Sequence, residues 1–97
     1  MKTQNNDTAA YSITVHGRVQ GVGFRYTAQA AAKRIGVTGW VKNEWDGSVA
    51  LYCEGPREKV ERFVQWCRQG PPSALVTDID LHEKQPAGRH RSFSIAM

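Results

Sequence analysis

Gly17-Arg18-Val19-Gln20-Gly21-Val22-Gly23-Phe24-Arg25 is the stretch from which the rest of the chain is read. Upstream of it, Ile13, Val15 and Gly17 alternate with Thr14, His16 and Arg18, the period-two pattern of a half-buried strand. Downstream, Phe24, Ala28, Ala31 and Ile35 recur at helical spacing in a run of good helix formers. Three glycines and an arginine therefore stand where a strand hands over to a helix. The first turn of a helix carries unpaired N–H groups and a partial positive charge. Glycines there let an anion approach the backbone with no Cβ in the way. Arg25 adds a planar, permanently charged fork suited to phosphate or carboxylate. The stretch thus reads as a phosphate cradle. A plainer reading stands beside it, since tight turns need positive φ for their own sake and an early helical arginine is often ordinary surface. The glycine spacing fits neither the dinucleotide fingerprint nor the Walker A loop, so nucleotide binding is not supported.

Ninety-seven residues predict a single domain with one small core. Hydrophobic residues at 40% and aromatics at 9% belong to an ordinary globular chain. No apolar run reaches the ~18 residues of a membrane span, and no signal-like segment opens the chain, so the expected location is cytoplasmic, with no membrane partner. Thirteen Lys plus Arg against nine Asp plus Glu leave a charge of +4, compatible with small anionic substrates or with nucleic acid. Cys53 and Cys67 are too few for a disulfide scaffold, lack metal-ligand spacing, and fall on positions expected to face the core. His16, His82 and His90 are scattered, so neither a metal nor a cofactor is expected.

In chain order, residues 1–10 are polar and aperiodic and are expected to form a flexible tail, leaving 11–97 as the domain. Strand 1 is predicted over 11–19 and helix 1 over 22–35, closed by Gly36 as C-cap behind Lys33 and Arg34. Strand 2 covers 38–43, Asp46-Gly47 signals a hairpin turn, and strand 3 covers 48–54 with Val49, Leu51 and Cys53 on one face. Gly55-Pro56 opens helix 2 over 57–69, whose Val60, Phe63, Val64 and Cys67 form an apolar stripe. Strand 4 is predicted over 74–83 with Ile79 and Leu81 inward. A basic loop (84–91) follows, and then a short strand from Phe93 to Ile95.

This order, β-α-β-β-α-β with a short C-terminal strand, predicts an α+β fold. It is a ferredoxin-like α/β sandwich, an antiparallel sheet with two helices on one face. Such a fold hosts RNA binders, metal chaperones and enzymes alike. Base-stacking aromatics in a recognisable RNP pattern are missing, as is a cysteine pair in the first loop, which disfavours nucleic acid and metal transport.

A second polar signal is Gly39-Trp40-Val41-Lys42-Asn43. Asn is common at strand ends, but its amide can both donate to and accept from one water molecule. In the predicted fold strands 1 and 2 run parallel and end at the same edge of the sheet, which brings Asn43 towards the glycine-rich loop. Together, Gly17–Arg25 and the run from Gly39 through Asn43, Asp46-Gly47-Ser48-Val49 and Gly55 resemble the two signature motifs of the acylphosphatase family, and the likeness extends from Tyr11 to Ile95. That resemblance implies a cofactor-free, metal-independent hydrolase of acyl phosphates. By it the phosphate-binding arginine falls on Arg25 and the catalytic asparagine on Asn43. The phosphate-binding loop falls on Gln20, Gly21, Val22, Gly23 and Phe24. The implied partners are a small acyl phosphate as substrate and inorganic phosphate as product, with the protein acting as a monomer. Glu44, beside Asn43, would place a carboxylate near a dianion, although alternation turns it to the other side. Arg18 reads as a solvated strand residue.

Overall fold

The computed structural model describes residues 8–96. Its elements are β1 (Thr8–Arg18), α1 (Phe24–Ile35), β2 (Thr38–Asn43), β3 (Val49–Pro56), α2 (Arg57–Gln69), β4 (Leu75–Lys84) and β5 (Phe93–Ile95). The five strands lie in the order β4-β1-β3-β2-β5. The expected α+β, ferredoxin-like sandwich is the fold observed. α2 packs over β1, β3 and β4, and α1 over β2 and β5.

The core follows from the alternation in the strands and the stripes on the helices. Ile13 and Val15 of β1, Val41 of β2 and Val49, Leu51 and Cys53 of β3 are buried against Phe24, Ala28 and Ala31 of α1 and Val60, Phe63, Val64 and Cys67 of α2. Burial pushes the Cys53 thiol up to about 12 and raises Cys67 well above its ordinary value, so both pack as small hydrophobes. Gly36 ends α1 in the left-handed conformation, its N–H and that of Val37 both donating to Ala32 O.

Several boundaries differ from expectation, β3 among them, which runs on through Gly55 and Pro56 to the start of α2. β1 begins at Thr8, which pairs with Pro56, so residues 8–10 belong to the sheet, while 1–7 lie outside the described residues. α1 begins at Phe24 rather than at residue 22, because Gly21 and Gly23 both hold positive φ and cannot be helical. The sheet itself is mixed, not antiparallel throughout: β5 runs parallel to β2, with Gly39 N–H donating to Ser92 O and Ala96 N–H to Val41 O. The chain leaves β4 at one edge and reaches the other across the sheet face that the helices leave uncovered. It therefore enters β5 in the same direction as β2.

The basic loop makes that crossing, and Glu54 fastens it. This side chain, only 7% exposed, takes the Tyr52 hydroxyl at 2.6 Å and the Ala87 N–H at 2.8 Å on Oε1, and the Gly88 N–H at 3.0 Å on Oε2. Burial works to raise its carboxyl, but the Tyr52, Ala87 and Gly88 donors and the nearby His90 outweigh it and hold the carboxyl below the ordinary carboxylate value. A group lowered on folding contributes stability that is complete above its ordinary value and is lost as pH falls through the lowered range. Glu54→Gln should therefore cost roughly 2 kcal/mol at pH 7, as for hydrogen bonds to a charged group. The gap from wild type should close towards pH 3. Thermal melts of both proteins across that range test this, and a gap independent of pH would contradict it.

Candidate active site

The glycines of the opening stretch divide into two kinds. Gly17 has φ +124° at a register shift in the β1–β4 pairing, and a Cβ there would stand 2.2 Å from Leu75 O. It is therefore a packing residue of the sheet. Beyond their immediate chain neighbours, Gly21 (φ +76°) and Gly23 (φ +79°) have no described protein atom within 4 Å of where a Cβ would stand. Glycine answers there to backbone conformation, and the space beside the loop stays open.

The loop's carbonyls are occupied from outside. Ser73 Oγ donates to Val22 O at 3.0 Å, and the Thr27 N–H and hydroxyl donate to Gly23 O at 3.0 and 2.9 Å. Among the described residues, no hydrogen bond uses the amides of Gln20, Gly21, Val22, Gly23 or Phe24 as donors to protein acceptors. Five consecutive N–H groups at the start of α1 are thus left without partners among the described residues, an arrangement that can receive an anion.

Arg25 lies in the first turn of α1, half-buried, with no ion pair or side-chain hydrogen bond among the described residues. Its direction follows from Gln29, one turn on along the same helix face. Gln29 Nε2 donates to Phe93 O of β5 at 3.0 Å, so this face of α1 looks towards β5 and β2. Asn43 is the last residue of β2, and the register Val15–Val49–Asn43 sets it level with Val15, three residues before the end of β1. It shares a strand face with buried Val41, the side on which the helices lie. The Arg25 face of α1, the loop and Asn43 are thus gathered at one end of the sheet.

The loop is tied to the β2–β3 hairpin by a contact that sequence reasoning missed. Gln20 Nε2 donates to Glu44 O and Ser48 O, both at 2.8 Å. A glutamine in a glycine-rich loop gives no sequence signal for such a staple, because its acceptors are carbonyls 24 and 28 residues away. The hairpin is itself braced. Gly47 N–H donates to Glu44 O at 3.2 Å, and Asp46 Oδ1 takes the Ser48 hydroxyl at 2.6 Å and the Ser48 N–H at 2.9 Å. Those Ser48 bonds, the hydroxyl's foremost, lower the Asp46 carboxyl. Glu44 turns to Lys42, 3.8 Å away on the opposite strand face from Asn43, as alternation predicted. Arg18 is exposed and, among the described residues, makes no ion pair.

A separate groove runs along α2 beside Arg62, Gln65 and Trp66. Among the described residues, no three His, Cys, Asp or Glu side chains gather as metal ligands, and no helix is long and apolar enough to cross a membrane.

A family model described as Acylphosphatase matches residues 11–95. An acylphosphatase of Roseiflexus sp. (strain RS-1) is 44% identical over 89 residues, 92% of this chain and 96% of that protein. The crystal structure of acylphosphatase from Bacillus subtilis superposes with a TM-score of 0.88 at 44% identity, covering 92% of this chain and 99% of that one. The crystal structure of full-length HypF in the phosphate- and nucleotide-bound form matches 93% of this chain but 12% of its own, with a TM-score of 0.80 at 26% identity.

Proposed function

The chain belongs to the acylphosphatase family, and from that membership together with the loop we infer that it hydrolyses acyl phosphates to carboxylate and inorganic phosphate. The observation that supports the residue assignment is the row of amides from Gln20 to Phe24, and with it the guanidinium of Arg25, that have no protein partner among the described residues. In this reading the amides and Arg25 hold the phosphoryl oxygens, and Asn43 orients a water in line with the bond to the acyl oxygen. The water oxygen bonds to phosphorus as the P–O bond to the acyl group breaks, and the carboxylate leaves with the electron pair. The water's proton passes to a phosphoryl oxygen of the substrate, because an amide is a poor base. Little covalent chemistry is asked of the protein, so positioning and charge stabilisation supply the acceleration.

Two buried cysteines left as free thiols fit a reducing compartment, which supports the cytoplasm as its place of action. The test is release of benzoate from benzoyl phosphate by the wild-type protein with chelator present. Turnover should proceed undiminished, with no pH–rate limb that follows an enzyme side chain. Phosphate binding without turnover would instead favour a non-catalytic anion-binding module.

A further inference from the structure

Among the described residues three large apolar side chains are exposed: Trp45 fully, Tyr26 at 72% and Leu75 at 63%. Single exposed hydrophobics scattered over a surface need no explanation. These three share one end of the sheet. Trp45 stands two residues beyond Asn43, in the turn that Gln20 staples to the loop through Glu44 O and Ser48 O. Tyr26 follows Arg25 directly in the first turn of α1, on the helix face turned away from the buried Phe24, Ala28, Ala31 and Ala32. Leu75 opens β4 opposite Arg18. All lie at the end of the sheet that carries the loop.

An acyl phosphate has a dianionic end and an acyl end. With the phosphoryl group on the amides, the acyl group must extend outwards, past the first turn of α1 and the β2–β3 turn. We propose that Trp45 and Tyr26 form an apolar rim that receives the acyl group and makes the enzyme selective for aromatic acyl phosphates over acetyl phosphate. The proposal rests on the acyl-phosphate hydrolysis inferred above. Leu75 supplies the internal control. It alternates with Val76, which packs on the core, so Leu75 stands on the sheet face turned away from α1.

The rim touches a part of the substrate whose structure is the same in the ground and transition states. Its contribution is therefore uniform binding, which moves KM and leaves kcat alone. Contact between aromatic rings adds to the area they remove from water, and its loss is worth about fivefold or more in affinity. Because Trp45 and Tyr26 are exposed, truncating them leaves the fold intact.

The experiment measures kcat and KM for acetyl and benzoyl phosphate, with inorganic phosphate as competitor, in wild type, Trp45→Ala, Tyr26→Ala and Leu75→Ala. The wild type is expected to favour benzoyl phosphate about tenfold or more in kcat/KM. Trp45→Ala and Tyr26→Ala should each raise KM for benzoyl phosphate about fivefold. Acetyl phosphate kinetics and phosphate inhibition should stay unchanged, and Leu75→Ala should alter nothing. Equal shifts for both substrates, no shift in either variant, or the same shift in Leu75→Ala would overturn the rim. Hydrolysis of neither substrate by the wild type would overturn the underlying activity, and the rim with it.

Discussion

Arg25→Ala is expected to abolish both phosphate competition and turnover while leaving the fold intact. Among the described residues Arg25 makes no ion pair or side-chain hydrogen bond, so its removal orphans no protein group. Alanine is also the better helix former in the first turn of α1. What is lost is a charge directed at the bound anion. At about 4 Å and an effective dielectric near 20, one such pair is worth roughly 4 kcal/mol, which corresponds to about 10³-fold in binding. The loop amides remain in the variant, but partial charges cannot replace a full one. Arg25→Lys restores the charge without the planar fork, so it should recover part of the phosphate affinity and less of the turnover. The measurements are kcat/KM for benzoyl phosphate and the competitive inhibition constant of inorganic phosphate, with thermal melts to confirm folding. Phosphate inhibition that survives Arg25→Ala unchanged would move the anion site away from this loop.

The chain's local patterns made much of this architecture legible. The stripe Val60, Phe63, Val64 and Cys67 needed only helical periodicity, and all four side chains are buried as read. Asn43 and Glu44 were separated by alternation alone, and the Lys42–Glu44 ion pair agrees with it. Features that depend on distant partners were not legible. Nothing in Phe93 to Ile95 says that this strand pairs parallel with β2, since that follows from a loop anchored on Glu54 some 30 residues earlier in the chain. Gly17, Gly21 and Gly23 look alike in sequence, yet only Gly17 is crowded, by a carbonyl of β4. The Gln20 staple has the same character: it is decided by where two backbone carbonyls arrive. Exposure, too, is a property of the fold, which is why Trp45 and Tyr26 gave no signal until their neighbours were placed.

Asn43→Ala should show the opposite division of effects from Arg25→Ala: phosphate inhibition preserved and kcat reduced by about 10² or more, the usual consequence of removing one positioned polar group from an active site. Asn43 is half-buried at the end of β2, and its side chain has no hydrogen-bonding partner among the described residues, so truncation leaves no orphaned protein group behind. Its backbone still pairs with Val49, and Gln20 still grips the hairpin through Glu44 O and Ser48 O. The frame of the site therefore survives, and only the amide that would orient the water is gone. A water no longer held in line must find its attack geometry by diffusion, which lowers the rate of the chemical step and not the affinity for the phosphoryl group. Asn43→Asp sharpens the distinction. It keeps the shape but sets a carboxylate beside a dianion, so it should weaken phosphate inhibition as well as turnover. The ratio of kcat loss to change in phosphate inhibition, measured in Asn43→Ala and Arg25→Ala together, separates the group that orients water from the group that binds. Turnover retained within tenfold in Asn43→Ala would assign the orientation of water to the loop amides themselves.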